Sequence, residues 1–361
     1  MCGGHERLRH LCGGRVERLL QARGPMVAAP DDTALEVERA AHGLRLRGTQ
    51  LYVEPIGRPQ LGFLGHARGV RAILPERTVA TPSTVALLEA AQPRALRKAA
   101  PLPAAWRKPF SIGALTLTVH PAGHVLGSAQ LQCELAGRSI VYASDVGGSG
   151  PRAPATAEPL EPVRCDVLLL RATYGHPRYA FPPRADVLQD LSRFVAATLA
   201  ERRTPVVLAA PLGGAQEAVR HLAEHELRLH AAPQKFCEVY RAQGVDLPRT
   251  LPLGSAKPGQ VVLLPAHPRI RRLLPDFEPY RLCLLSGRAA EPGFAQQVGV
   301  DVALPISDHA GFSDLLDHAV RSGASRVVLV HGQAEELIRG LRARGIAAHT
   351  VREQHRQLDL L

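Results

Sequence analysis

At 361 residues, of which 45% are hydrophobic, the chain can form one large domain or two ordinary ones with a sizeable core. No apolar run approaches the ~18 residues that span a bilayer, so we expect a soluble protein, and the cysteine pattern favours a reducing cytoplasm. The net charge of +11 favours a polyanionic partner, although an arginine-rich coding bias would give the same charge. The six cysteines are scattered without a CxxC pair, so they predict buried thiols in place of disulfides or a thiolate zinc site.

The first part of the chain predicts an extension, then strands, then a helix. Residues 1–32 carry a crude Cys-Gly-Gly repeat, and we expect a poorly ordered tail or an over-extended start with Met26 nearer the true beginning. From Leu35, alternating apolar and polar residues predict hairpins with one buried face. Thr81-Pro82-Ser83 then predicts the capped start of a helix.

The stretch from His120 to Gln130 is a candidate site because it is a histidine-containing turn, with two glycines, at the end of a β-rich run. A second predicted strand, residues 139–142, ends on a polar turn that carries Asp145. Rigid scaffolds place chemistry on loops at strand ends, and histidine with aspartate suits zinc. On spacing alone, a metal ligand and a structural histidine are equal alternatives here.

The pattern changes after Pro182-Pro183, where predicted helices alternate with apolar strands. This βαβ alternation indicates a parallel sheet covered on both faces. We therefore predict an α/β insert over residues 180–280, between a first part at 33–179 and a second part at 281–361.

Polar side chains recur at the ends of apolar strands. Asp145, His309 and His331 each follow such a strand, although they lie far apart in the sequence. Because histidine and aspartate at several strand ends are rarely all structural, the pattern predicts that these three residues share one site.

The motifs around these residues resemble those of the metallo-β-lactamase-fold nucleases with a β-CASP insert. The chain looks most like the bacterial ligase-associated DNA exonucleases and is similar to the mRNA 3′-end-processing nucleases. The resemblance implies an α/β fold, a metallo-β-lactamase αββα sandwich interrupted by the insert, with two zinc ions at the strand ends. It rests on the segments Ala122–Ala129, Ser144-Asp145, Pro305–Ala310 and Val328–Gly332.

The resemblance also assigns roles to individual residues. It implies zinc ligation by His66, His124, Asp145 and His331, with Asp145 as the bridging ligand. It implies that His309 protonates the leaving group, so Asp145 and His309 are the candidate catalytic residues.

The chain departs from the family pattern at the other ligand positions. In the early His-x-His-x-Asp-His motif, the second histidine, the aspartate and the last histidine are Arg68, Val70 and Arg71. The acidic residue expected after the fourth strand is Arg171. Fixed positive charges near a zinc site oppose metal binding, whereas an arginine beside Asp145 would compensate a buried carboxylate that lacks a metal.

Two hypotheses follow. In the first, the chain is a catalytically silent nuclease homologue that binds nucleic acid, DNA rather than RNA, through phosphate contacts of Arg68, Arg71 and Arg171. Its partner would be a DNA ligase or an intact nuclease paralogue, and it would hold one zinc ion at most, or none.

In the second hypothesis, the chain is a mononuclear zinc metallohydrolase that cleaves DNA or RNA phosphodiesters. It would use zinc at His66, His124 and Asp145, with His309 as the acid. Motifs shared across the fold also leave open the hydrolysis of a small ester.

Overall fold

The computed structural model describes residues 36–69, 73–254 and 257–351. The predicted N-terminal extension, residues 1–32, lies outside these ranges, as do Val70 and Arg71. Within them, the chain forms three β-sheets with helices packed against them.

The first sheet contains six strands in chain order. They are Val37–Ala40 (β1), Gly43–Leu46 (β2), Leu51–Val53 (β3), Leu61–Phe63 (β4), Arg77–Ala80 (β5) and Ala100–Pro103 (β6). Helix α1 spans Pro82–Ala91, and a short helix, α2, spans Pro93–Leu96. The side chain of Thr81 accepts a hydrogen bond from the backbone N–H of Thr84, which confirms the predicted helix cap.

The second sheet begins with strands that bring the predicted site residues to one edge. Its first strands are Phe110–Ile112 (β7), Leu115–Pro121 (β8), Ala129–Leu135 (β9), Arg138–Ala143 (β10) and Val167–Ala172 (β11). Strands β7 to β10 pair antiparallel, whereas β10 pairs parallel with β11. The carboxyl ends of β10 and β11 therefore lie side by side, so Asp145 and Arg171 come from the same edge.

The insert forms the third sheet, in which every strand pairing is parallel. Its elements are Arg184–Ala200 (α3), Thr204–Ala209 (β12), Gly214–His221 (α4), Leu227–Leu229 (β13), Ala231–Ala242 (α5), Leu251–Pro252 (β14), Val261–Pro265 (β15), Tyr280–Leu285 (β16), Phe294–Val298 (α6) and Val302–Leu304 (β17). The spatial order of its strands is β14-β13-β15-β12-β16-β17.

The predicted end of the insert at residue 280 is wrong. Both β16 and β17 belong to the third sheet, so the insert continues to Leu304. The reason is that a buried apolar strand such as Leu282–Leu285 has the same pattern whichever sheet it joins. The sequence therefore predicted the strand but not its neighbours.

The chain then returns to the second sheet. Helix α7 spans Phe312–Arg321, strand β18 spans Arg326–Gly332, helix α8 spans Glu335–Arg342, and strand β19 spans Ala347–Thr350. The completed order is β19-β18-β11-β10-β9-β8-β7. Short 3₁₀ turns lie at Gly150–Arg152, Pro177–Tyr179, Pro268–Phe277 and Gly287–Ala290.

The two sheets of the sandwich share a buried apolar core. Phe63 from the first sheet and Leu117 and Leu131 from the second belong to one cluster with almost no exposed surface. The opposite face of the second sheet packs against α7 and α8 through residues such as Leu315 and Leu337. This arrangement is the layered αββα sandwich that the motifs implied, with the insert attached at one edge.

Two further expectations can be compared with the described residues. Cys133, Cys165, Cys237 and Cys283 are buried free thiols, as their apolar surroundings predicted. In the ranges that the structure describes, no helix is long and apolar enough to cross a bilayer.

Candidate metal centre and its arginine neighbours

The loop after β8 holds His124 in a fixed, buried position. Gly123 and Gly127 have φ angles of +71° and +73°, and a Cβ at either would lie 2.8 Å from a backbone nitrogen of a neighbouring segment. The hydroxyl of Ser128 accepts hydrogen bonds from the backbone N–H groups of His124 and Val125, at 2.9 and 3.1 Å. The two glycines and the serine together explain why this turn carries its histidine inward.

The ring of His124 is oriented as in a metal ligand. Its Nδ1 lies 3.0 Å from the backbone oxygen of Asp308, a contact that assigns the ring hydrogen to Nδ1. Its Nε2 is buried and has no hydrogen-bond partner. A histidine whose second nitrogen is fixed in this way presents a lone pair to a metal ion.

His66 and Asp145 complete a compact group with His124. His66 follows β4, and its Nε2 lies 3.2 Å from Oδ2 of Asp145, which follows β10. The His66 and His124 ring centroids are 5.0 Å apart. One ligand atom from each of the three residues lies within 4.8 Å of the others, and all three side chains are buried.

The carboxylate of Asp145 has further partners. Nδ1 of His309 lies 3.3 Å from its Oδ1, and the Thr173 hydroxyl donates to the same oxygen at 3.3 Å. The ring centroids of His309 and His124 are 4.4 Å apart. The structure thus brings His66, His124, Asp145 and His309 together from four distant segments.

Arg171 contacts the same carboxylate from the end of β11. Its Nη1 lies 3.3 Å from Asp145 Oδ2, and its side chain is 37% exposed. The contact involves one nitrogen, so it is not the bidentate pairing that an arginine beside Asp145 could have made. A guanidinium therefore stands beside the residue that the resemblance assigned to bridging two metal ions.

Arg68 has a different partner from the one that its sequence position suggested. Its Nη1 lies 2.6 Å from Oδ2 of Asp308, which also accepts a hydrogen bond from the backbone N–H of Gly214 at 3.1 Å. Asp308 is 4% exposed, so Arg68 neutralises a buried carboxylate that connects the sandwich to the insert. Arg71, predicted to bind phosphate with Arg68 and Arg171, lies outside the described residues.

The pKa values show opposing effects of burial and charge. Burial raises the pKa of Asp145, but hydrogen bonds from His309 and His66 outweigh it and hold the pKa well below its usual range. Burial and the neighbouring His309 and His66 lower the pKa of His124 well below its usual value. An ionised Asp145 and a neutral His124 are the protonation states that metal binding requires.

His331 is not part of the compact group. It is exposed and has a φ angle of +58°, unusual for a residue with a Cβ. It lines a cavity of about 350 Å³ together with His66, Arg68 and Arg171. The predicted fourth ligand is therefore near the site but outside the triad of ligand atoms.

The donor set fits one metal ion and not two. His66, His124 and Asp145 supply two imidazole nitrogens and a carboxylate, and Nε2 of His124 lacks a hydrogen-bond partner in this buried site. Arg171 contacts Oδ2 of Asp145, the same oxygen that His66 contacts, and its guanidinium has no lone pair to offer a metal. A second ion would also be repelled by this positive charge.

Glu54 was not predicted, although it lies beside the site. Its Oε1 accepts hydrogen bonds from the Gly65 N–H at 2.7 Å and the Ser144 hydroxyl at 3.1 Å. Its φ angle is +45°, and burial raises its pKa. The sequence signal was a charged residue directly after the apolar run Leu51–Val53. Such a residue is also common at the ordinary end of a strand with period-two alternation.

Comparison with known proteins agrees with this fold. No family model matches the chain. The chain is 30% identical over 326 residues to a "Probable DNA ligase" of Opitutus terrae. The aligned region is 89% of the chain and 31% of that protein. It is 32% identical over 126 residues to the "Endoribonuclease YSH1" of Gibberella zeae, 35% of the chain and 15% of the relative. It is 24% identical over 288 residues to the "Ribonuclease TTHA0252" of Thermus thermophilus, 63% of the chain and 65% of the relative.

The αββα sandwich, its inserted parallel sheet and its histidine–aspartate group define a metallo-β-lactamase-type protein. With these relatives, the chain belongs to the metallo-β-lactamase-fold β-CASP nuclease family, whose members are metal-dependent. The chain spans less than a third of the ligase that it matches over most of its own length.

Proposed function

We propose that the chain is a nucleic-acid-binding member of the nuclease family in which two-metal hydrolysis has been lost. The observation that carries the proposal is the contact of Arg171 with Asp145, 3.3 Å between Nη1 and Oδ2. Two-metal hydrolysis needs a carboxylate that faces both ions, which together hold the attacking hydroxide and stabilise the developing charge. Here a guanidinium contacts one oxygen of that carboxylate.

Electrostatics supports the loss of the second ion. Two unit charges about 4 Å apart repel by roughly 4 kcal/mol at an effective dielectric constant of 20, and a divalent cation doubles this. Arg68, the other arginine at a family ligand position, is paired with Asp308 and offers no lone pair.

The same arginines support binding of phosphates. Arg68 and Arg171 keep 30% and 37% of their side chains exposed, and the whole chain carries a net charge of +11. Arginine binds phosphate through several donors and stays charged at every physiological pH. We therefore propose DNA, in preference to RNA, as the polymer, with Arg68, Arg71 and Arg171 as phosphate contacts.

One relative favours DNA and a ligase partner. A protein named as a probable DNA ligase contains a 326-residue region similar to 89% of this chain. In that relative, the region similar to this chain and the rest of the protein belong to one polypeptide, so we propose a DNA ligase as the partner here. An intact nuclease paralogue is the alternative partner.

A second candidate function, an active mononuclear metallohydrolase, is favoured by the group of His66, His124 and Asp145. These residues would hold one zinc ion, which when bound would act as a Lewis acid towards a phosphoryl oxygen. His309, whose Nδ1 is 3.3 Å from Asp145, would donate the proton to the leaving oxygen. Thr173 would keep Asp145 oriented through its hydrogen bond.

One set of measurements separates the two functions. Protein purified in the presence of zinc is assayed for metal content, for binding of single-stranded DNA at several salt concentrations, and for cleavage of that DNA. The proposal predicts at most one zinc per chain, salt-dependent binding and no cleavage. One zinc per chain with cleavage that is abolished by His124→Ala would establish the metallohydrolase instead.

Arg171→Ala tests the phosphate contact, and Arg138→Ala is its matched control. Arg138 begins β10, whereas Asp145 follows its end, so the two sites are roughly 20 Å apart at about 3.3 Å per residue. We expect Arg171→Ala to weaken DNA binding several-fold more than Arg138→Ala. Equal effects would show that binding follows total charge and not this site.

A further inference from the structure

Asp308 contacts the metal centre with its backbone and two other segments with its side chain. Its backbone oxygen lies 3.0 Å from Nδ1 of His124, whose Nε2 is left without a hydrogen-bond partner. Its carboxylate oxygen Oδ2 lies 2.6 Å from Nη1 of Arg68 and accepts the backbone N–H of Gly214 at 3.1 Å. The group that accepts one ring hydrogen of a histidine ligand fixes the tautomer and the direction of the other nitrogen. The position of the Asp308 backbone therefore determines how His124 faces the metal centre.

The carboxylate of Asp308 is held by both the sandwich and the insert. Arg68 follows β4 of the first sheet, whereas Gly214 begins α4 of the insert. Gly213 has a φ angle of +96°, and a Cβ at this position would lie 2.5 Å from Oδ2 of Asp308. Glycine is therefore required for this close approach of the insert backbone to the carboxylate.

The residues on either side of Asp308 have contacts that do not depend on its charge. Nη2 of Arg184 donates to the backbone oxygen of Ser307 at 2.5 Å. The Ser307 hydroxyl accepts the backbone N–H of His309 at 3.0 Å. Because these contacts remain, loss of the Asp308 carboxylate should displace the backbone oxygen slightly and leave the chain folded.

A second buried aspartate shows how a pair differs when it contacts no metal ligand. Asp314 is 2% exposed, and Nε and Nη2 of Arg152 donate to its two oxygens at 2.9 and 3.0 Å. Asp308 is 4% exposed, but its Oδ1 is buried without a hydrogen-bond partner. A buried oxygen that lacks a partner destabilises the folded state. Stability alone therefore accounts for Asp308 less well than it accounts for Asp314.

We propose that Asp308 is a positioning residue for the metal ligand His124, and that the insert acts on the metal centre through it. The carboxylate holds this residue between Arg68 and Gly214, and the backbone oxygen of the same residue orients the imidazole. A metal site on the sandwich thus depends on a helix of the insert that supplies none of its three ligands. The inference rests on the proposed single zinc ion, but it does not depend on nucleic-acid binding or on the loss of cleavage.

Competitive titrations with a fluorescent chelator measure the effect on zinc affinity. Asp308→Ala should weaken zinc binding about 30-fold, within the ~10–100-fold typical of losing a group that orients a ligand. Asp308→Asn keeps an oxygen for Arg68 and Gly214, so its loss should stay below about 10-fold. Asp314→Ala is the matched control, because it removes a buried aspartate from an arginine pair on α7. It should leave zinc affinity unchanged.

Nitrogen-15 NMR of the metal-free protein gives a second readout, which a merely structural role would not move. The ring hydrogen of His124 should be on Nδ1 in the wild type and in Asp314→Ala. Asp308→Ala should give a mixture of the two tautomers. Urea unfolding of each metal-free variant measures its loss of stability separately. If Asp308→Ala does not fold, Asp308→Asn is used for both measurements.

Equal zinc affinities of wild type and Asp308→Ala, or a ring hydrogen on Nε2 of His124 in the wild type, would overturn the inference. Equal losses of zinc affinity in Asp314→Ala and Asp308→Ala would also overturn it, because the effect would then follow stability. Wild-type protein that binds no zinc would overturn the inference and leave the proposed nucleic-acid binding intact. Wild-type protein that binds zinc but no DNA would overturn the proposed nucleic-acid binding alone.

Discussion

The site has two halves that differ in burial and in chemistry. The histidine half, made of His66, His124 and Asp145, is buried and collects its ligand atoms within 4.8 Å. The arginine half, made of Arg68, Arg171 and His331, is partly or fully exposed. Both halves stand at positions that the resemblance assigns to metal ligands, yet only the first has a compact donor set.

Under the proposed function, this difference describes how a metal site loses an ion without loss of the fold. Each described arginine of the second half pairs with a buried acid, Arg171 with Asp145 and Arg68 with Asp308. An unpaired buried carboxylate would destabilise the fold by several kcal/mol, and a guanidinium removes that cost as a metal ion would. The positive charge of the site is thus kept, but a guanidinium cannot activate water.

The largest expected effect concerns metal binding by the histidine half. His124→Ala should weaken zinc binding by at least ~100-fold, since it removes one of three ligands. The measurement is a competitive zinc titration with a fluorescent chelator. His318→Gln is the control, because His318 is another buried histidine whose Nε2 lacks a partner, but it lies on α7 outside the triad. Equal losses in the two variants would mean that zinc binds elsewhere.

The next largest effect is a change in zinc affinity and DNA affinity in opposite directions when Arg171 is replaced. Arg171→Ala should tighten zinc binding roughly 30-fold, because a positive charge near the ion is removed. It should weaken binding of single-stranded DNA several-fold. Arg171→Lys, which keeps the charge, should leave zinc affinity close to that of the wild type. A decrease of both affinities in Arg171→Ala would contradict the antagonism between arginine and metal.

His318, a buried histidine outside the site, predicts how the stability of the protein depends on pH. Burial lowers the pKa of His318 to about 4, so the folded protein binds fewer protons than the unfolded chain between about pH 4 and 6.5. This contribution to stability is complete above pH 6.5 and is lost as the pH falls towards 4. Between pH 7 and pH 5 the loss is about 2 kcal/mol.

Urea unfolding of wild-type protein and of His318→Gln at both pH values measures this contribution. The unfolding free energies of the two proteins depend on pH differently, and that difference is the contribution of His318 without that of the site histidines. If the variant loses as much stability as the wild type between pH 7 and pH 5, the side chain is not neutral and buried in the folded state.

The smallest expected effect concerns Arg68. Arg68→Gln keeps a donor for the buried Asp308 but removes the charge, so DNA affinity should fall about threefold. The slope of log affinity against log salt should fall by ~0.7, the value for one phosphate contact on a single strand. Arg138→Ala provides the reference slope. An unchanged slope would show that Arg68 remains bound to Asp308 and contacts no phosphate.

Much of the fold could be predicted from the sequence because its elements have clear periodicity. The apolar strands of the insert and the cap at Thr81 are local patterns, and they form where predicted. The end of the insert was missed because the sheet to which β16 belongs depends on long-range pairing.

The site was predictable in its residues but not in its contacts. Strand-end position indicated Asp145, His309 and the turn that carries His124, and the resemblance added His66. The pairing of Arg68 with Asp308 joins residues 240 positions apart, so no local pattern reports it. Glu54 was missed because its function depends on a positive φ and on partners in other segments.

A single-turnover assay shows whether this chain binds DNA without cutting it. End-labelled single-stranded DNA is incubated with excess protein in saturating zinc, and the same samples are separated on native and denaturing gels. We expect a retarded complex on the native gel and intact DNA on the denaturing gel. DNA that is degraded by the wild type but left intact by His124→Ala would show that the chain is an active nuclease and not a silent one.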